Sequence, residues 1–136
     1  MPKMTLQHHT IRTGSQVEFI NIDRQVRETV KKSGVKDGIC LVFVPHTTAG
    51  VTINENADPD VVRDMIMELN RIVPFDHGYR HMEGNSAAHI KSSLVSPSLS
   101  LILEGGELLF GTWQSIFFCE FDGPRSRRFS VKILEG

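Results

Sequence analysis

The stretch QSIFFCEF, residues 114–121, decides the fold of this 136-residue chain. Its apolar side chains occupy both faces of an extended segment, which is typical of a strand at the centre of a sheet. The preceding stretch SLSLILEGGELLF, residues 98–110, predicts a hairpin around Gly105-Gly106. Residues 127–134 predict a last strand. The C-terminal third of the chain is therefore predicted to be β.

Upstream of this region, strand signals alternate with helix signals. Residues 4–20 are rich in β-favouring types, and the Thr13-Gly14-Ser15 cluster predicts two strands joined as a hairpin. A buried strand is predicted over residues 38–44, and a short one over residues 50–55. With the C-terminal strands, the total is about seven or eight.

Two or three helices accompany these strands. In the first, Ile22, Val26 and Val30 repeat on one face and Gly34 suits the C′ position. The second runs from Asp58, a good N-cap followed by Pro59, to about Ile72. We interpret its apolar stripe as core: Val61, Val62, Met65, Ile66, Leu69 and Ile72. A short third helix is predicted over Ser86–Leu94, capped by Ser86.

These elements predict an α+β fold with two β layers, β-sandwich-like and mostly antiparallel, in a single domain over residues 1–136.

With 40% apolar and 23% charged residues, the chain is typical of a soluble globular protein. Its net charge of −1 argues against a nucleic-acid partner. No apolar run approaches 18 residues, so no membrane partner is expected. The N-terminal MPKMTLQHH lacks a signal-peptide pattern, and we expect a cytoplasmic location. Cys40 and Cys119 lie in apolar runs and are predicted to be free, buried thiols.

Three histidines are the main candidates for a functional site. His81 and His89 bracket the segment HMEGNSAAH, and His46 lies where an apolar strand ends in VPHTTAG. Three neutral imidazoles with an open fourth position would suit Zn²⁺ or a similar metal. A metal-free site for an anionic substrate is one alternative. Another is that each ring only hydrogen-bonds a backbone carbonyl.

Two carboxylates are candidates for acid–base chemistry. Glu55 ends a strand and could orient a histidine or act as a general base; its alternative is a solvated surface position. Glu120 interrupts a very apolar strand, where a carboxylate is costly unless it is paired. Its partner could be one of Arg125, Arg127 and Arg128, a histidine, a metal-bound water or a neighbouring subunit.

Polar residues beside the C-terminal strands are candidates for ligand binding. Thr112 and Gln114 offer hydrogen bonds from one face of a strand. The Asp-Gly-Pro turn at residues 122–124 precedes the three arginines, which could bind phosphate in bidentate fashion or form a solvated or interfacial edge.

Taken together and in this order, three strings resemble the YjbQ-like family of small bacterial and archaeal proteins. They are PHTTAGVTINENADPDV, the RH…AHIKSSL block and GTWQSIFFCEFDGPRSRR. Some members are described as secondary thiamine-phosphate synthases, because they can substitute for the main enzyme of thiamine biosynthesis. The resemblance implies a homotrimer of β-sandwich-like α+β subunits, with a polar cleft near the subunit contacts.

The resemblance also implies an activity and a set of site residues. The reaction would join a pyrimidine pyrophosphate to a thiazole phosphate and release pyrophosphate. Glu55 and Glu120 would then be catalytic. The resemblance places all of these candidates at motif positions of the family. We expect Asn54, Thr112, Gln114 and Arg125 to bind substrate, and His46, His81 and His89 to bind a divalent metal, Zn²⁺ or Mg²⁺. The alternative is a non-catalytic, trimeric protein that binds a metal or a metabolite.

Overall fold

The computed structural model describes residues 4–136. Residues 1–3, which open the segment without a signal-peptide pattern, lie outside the described residues. Within the described range the chain forms eight strands: β1 (Met4–Arg12), β2 (Glu18–Asn21), β3 (Gly38–Phe43), β4 (Ala49–Glu55), β5 (Ser98–Glu104), β6 (Glu107–Leu108), β7 (Gln114–Glu120) and β8 (Ser126–Glu135). It also forms three helices: α1 (Asp23–Ser33), α2 (Pro59–Ile72) and α3 (Ser86–Val95).

The strands form two sheets. The larger has the order β1-β8-β3-β5-β6 and the smaller has the order β2-β7-β4. Neighbouring strands in both sheets pair antiparallel. The predicted α+β class with two mostly antiparallel sheets is confirmed, and β7 is the central strand of the smaller sheet, as its two apolar faces predict.

The main core lies between the two sheets. Alternate residues of β7, such as Ile116 and Phe118, pack against inward-facing residues of β8 and β3. Helix α1 closes one side of this core with the predicted Ile22, Val26 and Val30 stripe. Every second side chain of β3 is exposed instead, because it points to the outer face of the larger sheet.

The outer face of the smaller sheet is covered by the other two helices. There Phe117 and Cys119 pack with Ala88 of α3, while Val62 and Leu69 of α2 pack at the edge of this cluster. Helix α2 contributes no buried residue among those described. Our interpretation of its apolar stripe as core is therefore wrong. The helix lies outside the sheet, so the stripe is only partly covered, and Ile72 is 53% exposed.

The predicted hairpin over residues 4–20 is also wrong. Strand β1 pairs with β8 in the larger sheet, and β2 pairs with β7 in the smaller one. The chain crosses between the sheets at Thr13, whose backbone N–H donates to the carbonyl of Arg125 at 3.0 Å. A Gly-Ser cluster marks a change of direction, but the partner strands are distant in sequence.

The start of α2 and the β5–β6 turn follow the local chemistry, but the start of α3 does not. Asp58 caps α2 by accepting from the backbone N–H of Asp60 at 2.9 Å, and the predicted hairpin forms at Gly105-Gly106. Helix α3 begins at Ser86, but its N-cap is Asn85 rather than Ser86. The Asn85 side chain does not cap the helix, because its amide donates to the carboxylate of Asp122 at 2.9 Å.

None of the helices in residues 4–136 is long and apolar enough to cross a membrane.

Candidate functional site: a histidine and arginine cleft

Three segments meet in a cleft at one end of the two sheets. They are the turn after β3, the segment that leads into α3, and the turn between β7 and β8. The cleft has a volume of about 500 Å³ and is lined by Pro45, His46, Thr47, Thr48, His81, Glu83, Asn85, His89, Asp122, Arg125 and Arg127. All three histidines singled out in the sequence thus line one cavity.

His46 has a defined hydrogen-bonding state. Its Nε2 lies 3.0 Å from the backbone nitrogen of Arg128. A backbone N–H can only donate, so Nε2 accepts and the neutral ring carries its proton on Nδ1. Burial and then the positive charge of Arg127 lower the pKa of His46. The ring is therefore neutral at pH 7 and has one N–H to offer.

His81 and His89 form a pair of imidazoles. Their ring centroids are 5.6 Å apart and the rings are nearly perpendicular, at 84°. A turn before α3 sets this geometry: Gly84 adopts a positive φ and donates its N–H to the carbonyl of His81 at 3.1 Å. His81 Nε2 also lies 3.9 Å from a carboxylate oxygen of Glu83. Two imidazole rings therefore face each other at the cleft.

At the back wall of the cleft, Glu120 and Arg127 form an ion pair: Glu120 is fully buried, and Arg127, which lines the cleft, is 5% exposed. Arg127 donates from Nε to Glu120 at 2.8 Å and from Nη2 at 2.5 Å. The Thr13 hydroxyl and the backbone N–H of Asp122 donate to the same carboxylate at 2.8 and 2.9 Å. Burial opposes ionisation of Glu120, but these hydrogen bonds and the charge of Arg127 outweigh it and lower its pKa. An arginine is thus the partner of Glu120, as one of our alternatives predicts.

Each cleft guanidinium is already paired within the chain. Arg127 also donates to the Thr48 hydroxyl at 2.8 Å, which joins the ion pair to the turn after β3. Arg125 lies 3.2 Å from the Asp122 carboxylate, which also accepts from Asn85. Pairing fixes these side chains in place and offsets part of their positive charge.

The other predicted site residues lie at the opposite end of the smaller sheet. Along β4 and β7, Ala49 pairs with Glu120, whereas Glu55 pairs with Gln114. Six residues of extended strand separate the two positions, which is about 20 Å. Asn54 and Thr112 are exposed at this far end. Within one chain, therefore, Glu55 does not lie beside His46, and these four residues do not join the histidine cleft.

The positions of the possible metal ligands can be compared with the predicted three-histidine metal site. Among residues 4–136, no three His, Cys, Asp or Glu side chains converge in a way that would hold an ion. The Nε2 lone pair of His46 already accepts a hydrogen bond. The residues as arranged do not form a three-imidazole site, and the Zn²⁺ or Mg²⁺ of the sequence analysis stays a prediction.

Sequence reasoning missed three residues that hold the cleft together. Thr48 binds Arg127, while Asn85 and Asp122 fix Arg125. Each lies within one of the strings quoted above, in or next to a turn. A polar side chain next to a chain reversal was the signal available for all three.

Comparisons with known proteins all identify the same family. A family model described as UPF0047 protein YjbQ-like matches residues 7–136. The chain is 50% identical over 125 residues to the UPF0047 protein YugU of Bacillus subtilis, covering 91% of this chain and 95% of that protein. It is 52% identical over 126 residues to a UPF0047 protein of Methanocaldococcus jannaschii, covering 93% and 91%.

Solved structures show the same fold. A YbjQ-like protein of unknown function from Sulfolobus solfataricus has a TM-score of 0.96 at 32% identity, with all of both chains covered. An uncharacterised conserved protein of the yjbq/upf0047 family from Clostridium acetobutylicum has a TM-score of 0.92 at 52% identity, covering 93% of this chain and 98% of that one.

Proposed function

The chain belongs to the UPF0047 YjbQ-like family, and we propose that its histidine and arginine cleft binds a small phosphorylated substrate as part of a thiamine-phosphate synthase-like activity. In this proposal the protein acts in the cytoplasm on small molecules and not on nucleic acid. One observation carries it: His46, His81 and His89 line one cavity with two positioned guanidinium groups.

The groups at the cleft suit the recognition of a phosphate. Arg127 is held rigid by Glu120 and Thr48, and the Nδ1–H of His46 is free of the hydrogen bond that occupies Nε2. Phosphate oxygens accept hydrogen bonds from guanidinium and imidazole N–H groups. We therefore assign phosphate binding to His46, Arg125 and Arg127.

The proposed reaction needs charge stabilisation more than a base. The thiazole nitrogen attacks the methylene carbon of the pyrimidine substrate, and the C–O bond to pyrophosphate breaks. The leaving pyrophosphate gains negative charge, which arginines stabilise and which a protonated His81 or His89 can relieve by donating a proton. We assign Glu120 to positioning Arg127, because all its contacts are made inside the protein.

One observation favours the alternative, a non-catalytic protein that binds a metabolite. Arg127 is paired with Glu120 and Arg125 with Asp122, so the cleft carries little uncompensated positive charge. A pyrophosphate leaving group calls for more positive charge than a singly charged or zwitterionic metabolite. The two functions therefore differ in whether binding is followed by turnover.

The test is an assay with protein purified from a host that lacks its own thiamine-phosphate synthase. We expect thiamine phosphate and pyrophosphate to form from the pyrimidine pyrophosphate and the thiazole phosphate. Turnover should fall at least 10-fold in His89→Gln and should be unchanged in His77→Gln, whose histidine is exposed outside the cleft. Binding of either substrate without product would support the alternative. Neither binding nor product would contradict both.

The proposal includes a homotrimer, and the outer face of the larger sheet supports self-association. This face carries exposed apolar side chains on four strands: Leu6, Ile39, Leu41, Phe43, Ile102 and Leu134. An apolar sheet face of this kind is typical of an interface. Light scattering should give three times the 15.3 kDa chain mass, and Leu41→Asp should lower that mass. A monomer at micromolar concentration would contradict the trimer.

A further inference from the structure

Helix α3 carries a lysine that has no counter-ion among residues 4–136. The side chain of Lys91 is 0% exposed, and its Nζ has no hydrogen-bond partner within the described part of the chain. The contact found for Nζ is with an aromatic face, since it lies 3.5 Å from the ring centroid of Phe75. Lys91 is two residues beyond His89, about 200° around the helix, so the two side chains leave α3 on nearly opposite sides. Lys91 is not among the residues that line the histidine cleft.

The surroundings of Lys91 disfavour an ammonium ion. A buried charge without an acceptor is costly, and the face of one phenyl ring replaces only part of the lost hydration. Ala87 and Ala88, on the same side of α3, are fully buried and apolar. Burial lowers the pKa of Lys91 to about 8. A lysine desolvated in this way is a nucleophile, because its lone pair is more often free.

The ring of Phe75 lies over this amine. It lies three residues beyond the end of α2 and is itself only partly buried, so solvent reaches the ring that covers Nζ. The residues after it are exposed and include Gly78, which adopts a positive φ with open space around it. Movement of this ring would uncover the side of Nζ that it faces.

We propose that Lys91 is a carbonyl-reactive amine, a covalent site for small aldehydes or ketones that is covered by Phe75. The Nζ lone pair attacks the carbonyl carbon and forms a C–N bond. The carbonyl oxygen gains two protons, one from the amine and one from solvent, and leaves as water. The product is an iminium ion, C=N⁺–H, and hydride from an added reductant converts it to a stable secondary amine. This site is separate from the histidine cleft and does not depend on its proposed function.

The test is reductive alkylation of the native protein with acetaldehyde and cyanoborohydride at pH 7, followed by peptide mass spectrometry. Lys31 and Lys36, which are exposed, serve as references within the same molecule. An amine with a pKa of about 8 is free base in about a tenth of molecules at pH 7, against roughly one in 3,000 for an ordinary lysine. Lower basicity removes part of that advantage, so we expect Lys91 to react about 10-fold faster than the references.

Two variants test whether Phe75 shields the amine and whether Lys91 is the reactive residue. Phe75→Ala should raise the rate at Lys91 several-fold and leave Lys31 unchanged, and an unchanged circular dichroism spectrum would show that the fold is intact. Lys91→Met should remove the fast-reacting position. A high rate at Lys91 in the wild type, or only after Phe75→Ala, supports the proposal. A rate below that of Lys31 in both proteins would overturn it and leave Lys91 a structural residue.

Discussion

Replacing Glu120 by glutamine should destabilise the protein strongly, although the two side chains have nearly the same shape. The carboxylate accepts four hydrogen bonds, two of them from Arg127, and is fully buried with it. Glutamine removes the charge and turns an NH₂ group toward some of these donors. The guanidinium of Arg127 then stays buried without its counter-ion.

The size of the effect follows from this geometry. Removing one partner of a buried ion pair costs about 3–5 kcal/mol, which is a factor of roughly 10² to 10⁴ in the folding equilibrium constant. Replacing both partners is far less costly, so Glu120→Gln combined with Arg127→Met should be more stable than Glu120→Gln alone. The double variant thereby distinguishes the free-energy cost of leaving the Arg127 charge unpaired from the cost of lost packing.

Urea unfolding at a fixed protomer concentration measures both differences. The matched control is Glu68→Gln, which removes an exposed ion pair with Arg71 and should have no measurable effect. Because the folded-state pKa of Glu120 is lowered, its contribution is complete above the unfolded pKa, about 4.3, and is lost as the pH falls through the folded value. A loss below about 1 kcal/mol at pH 7 would refute the reasoning.

Three further predictions concern packing and titration. Gly38→Ala should lower stability by roughly 1–3 kcal/mol, because the added Cβ would lie 1.9 Å from the carbonyl oxygen of Leu134. Gly14→Ala, whose Cβ meets nothing closer than 3.8 Å, should have little effect; equal melting temperatures for both variants would contradict this. NMR titration of His46 should give a midpoint below 6.5, and its neutral form stabilises the fold fully above that pH and progressively less as the pH falls; a midpoint at or above 6.5 would be inconsistent with the burial described. Both cysteines should resist an aromatic disulfide reagent at pH 8 until urea is added, since burial raises the pKa of each thiol, and rapid reaction of the native protein would show that a thiol is exposed.

The fold was most predictable where the signals are local. The two apolar faces of β7 and the Gly105-Gly106 turn each depend on neighbouring residues, and both predictions are confirmed. Pairing of β1 with β8 depends on residues more than 100 positions apart, which a local turn signal cannot report. The apolar stripe of α2 has the period of a packed helix but does not reveal what covers it.

The candidate site was also predictable in its local features and not in its long-range contacts. A histidine at a strand end and a carboxylate inside an apolar strand are visible in the sequence, and so is the need of Glu120 for a cationic partner. The distance between Ala49 and Glu55 is fixed by the extended course of β4. Six residues of strand span about 20 Å, so the predicted strand over residues 50–55 already implies that Glu55 lies far from His46. The hydrogen bond between Asn85 and Asp122 joins residues that are 37 positions apart, so it could be found only in the tertiary structure.

The pairing of β8 with both β1 and β3 also bears on how the protein forms during synthesis. Residues 126–135 are translated after the other strands, yet they join the first strand to the rest of the larger sheet. The nascent chain therefore holds β1 without its partner until this segment has left the ribosome. Such distant pairings slow folding and lengthen the exposure of apolar strands. Closure of the larger sheet around β8 should therefore be a late event in folding.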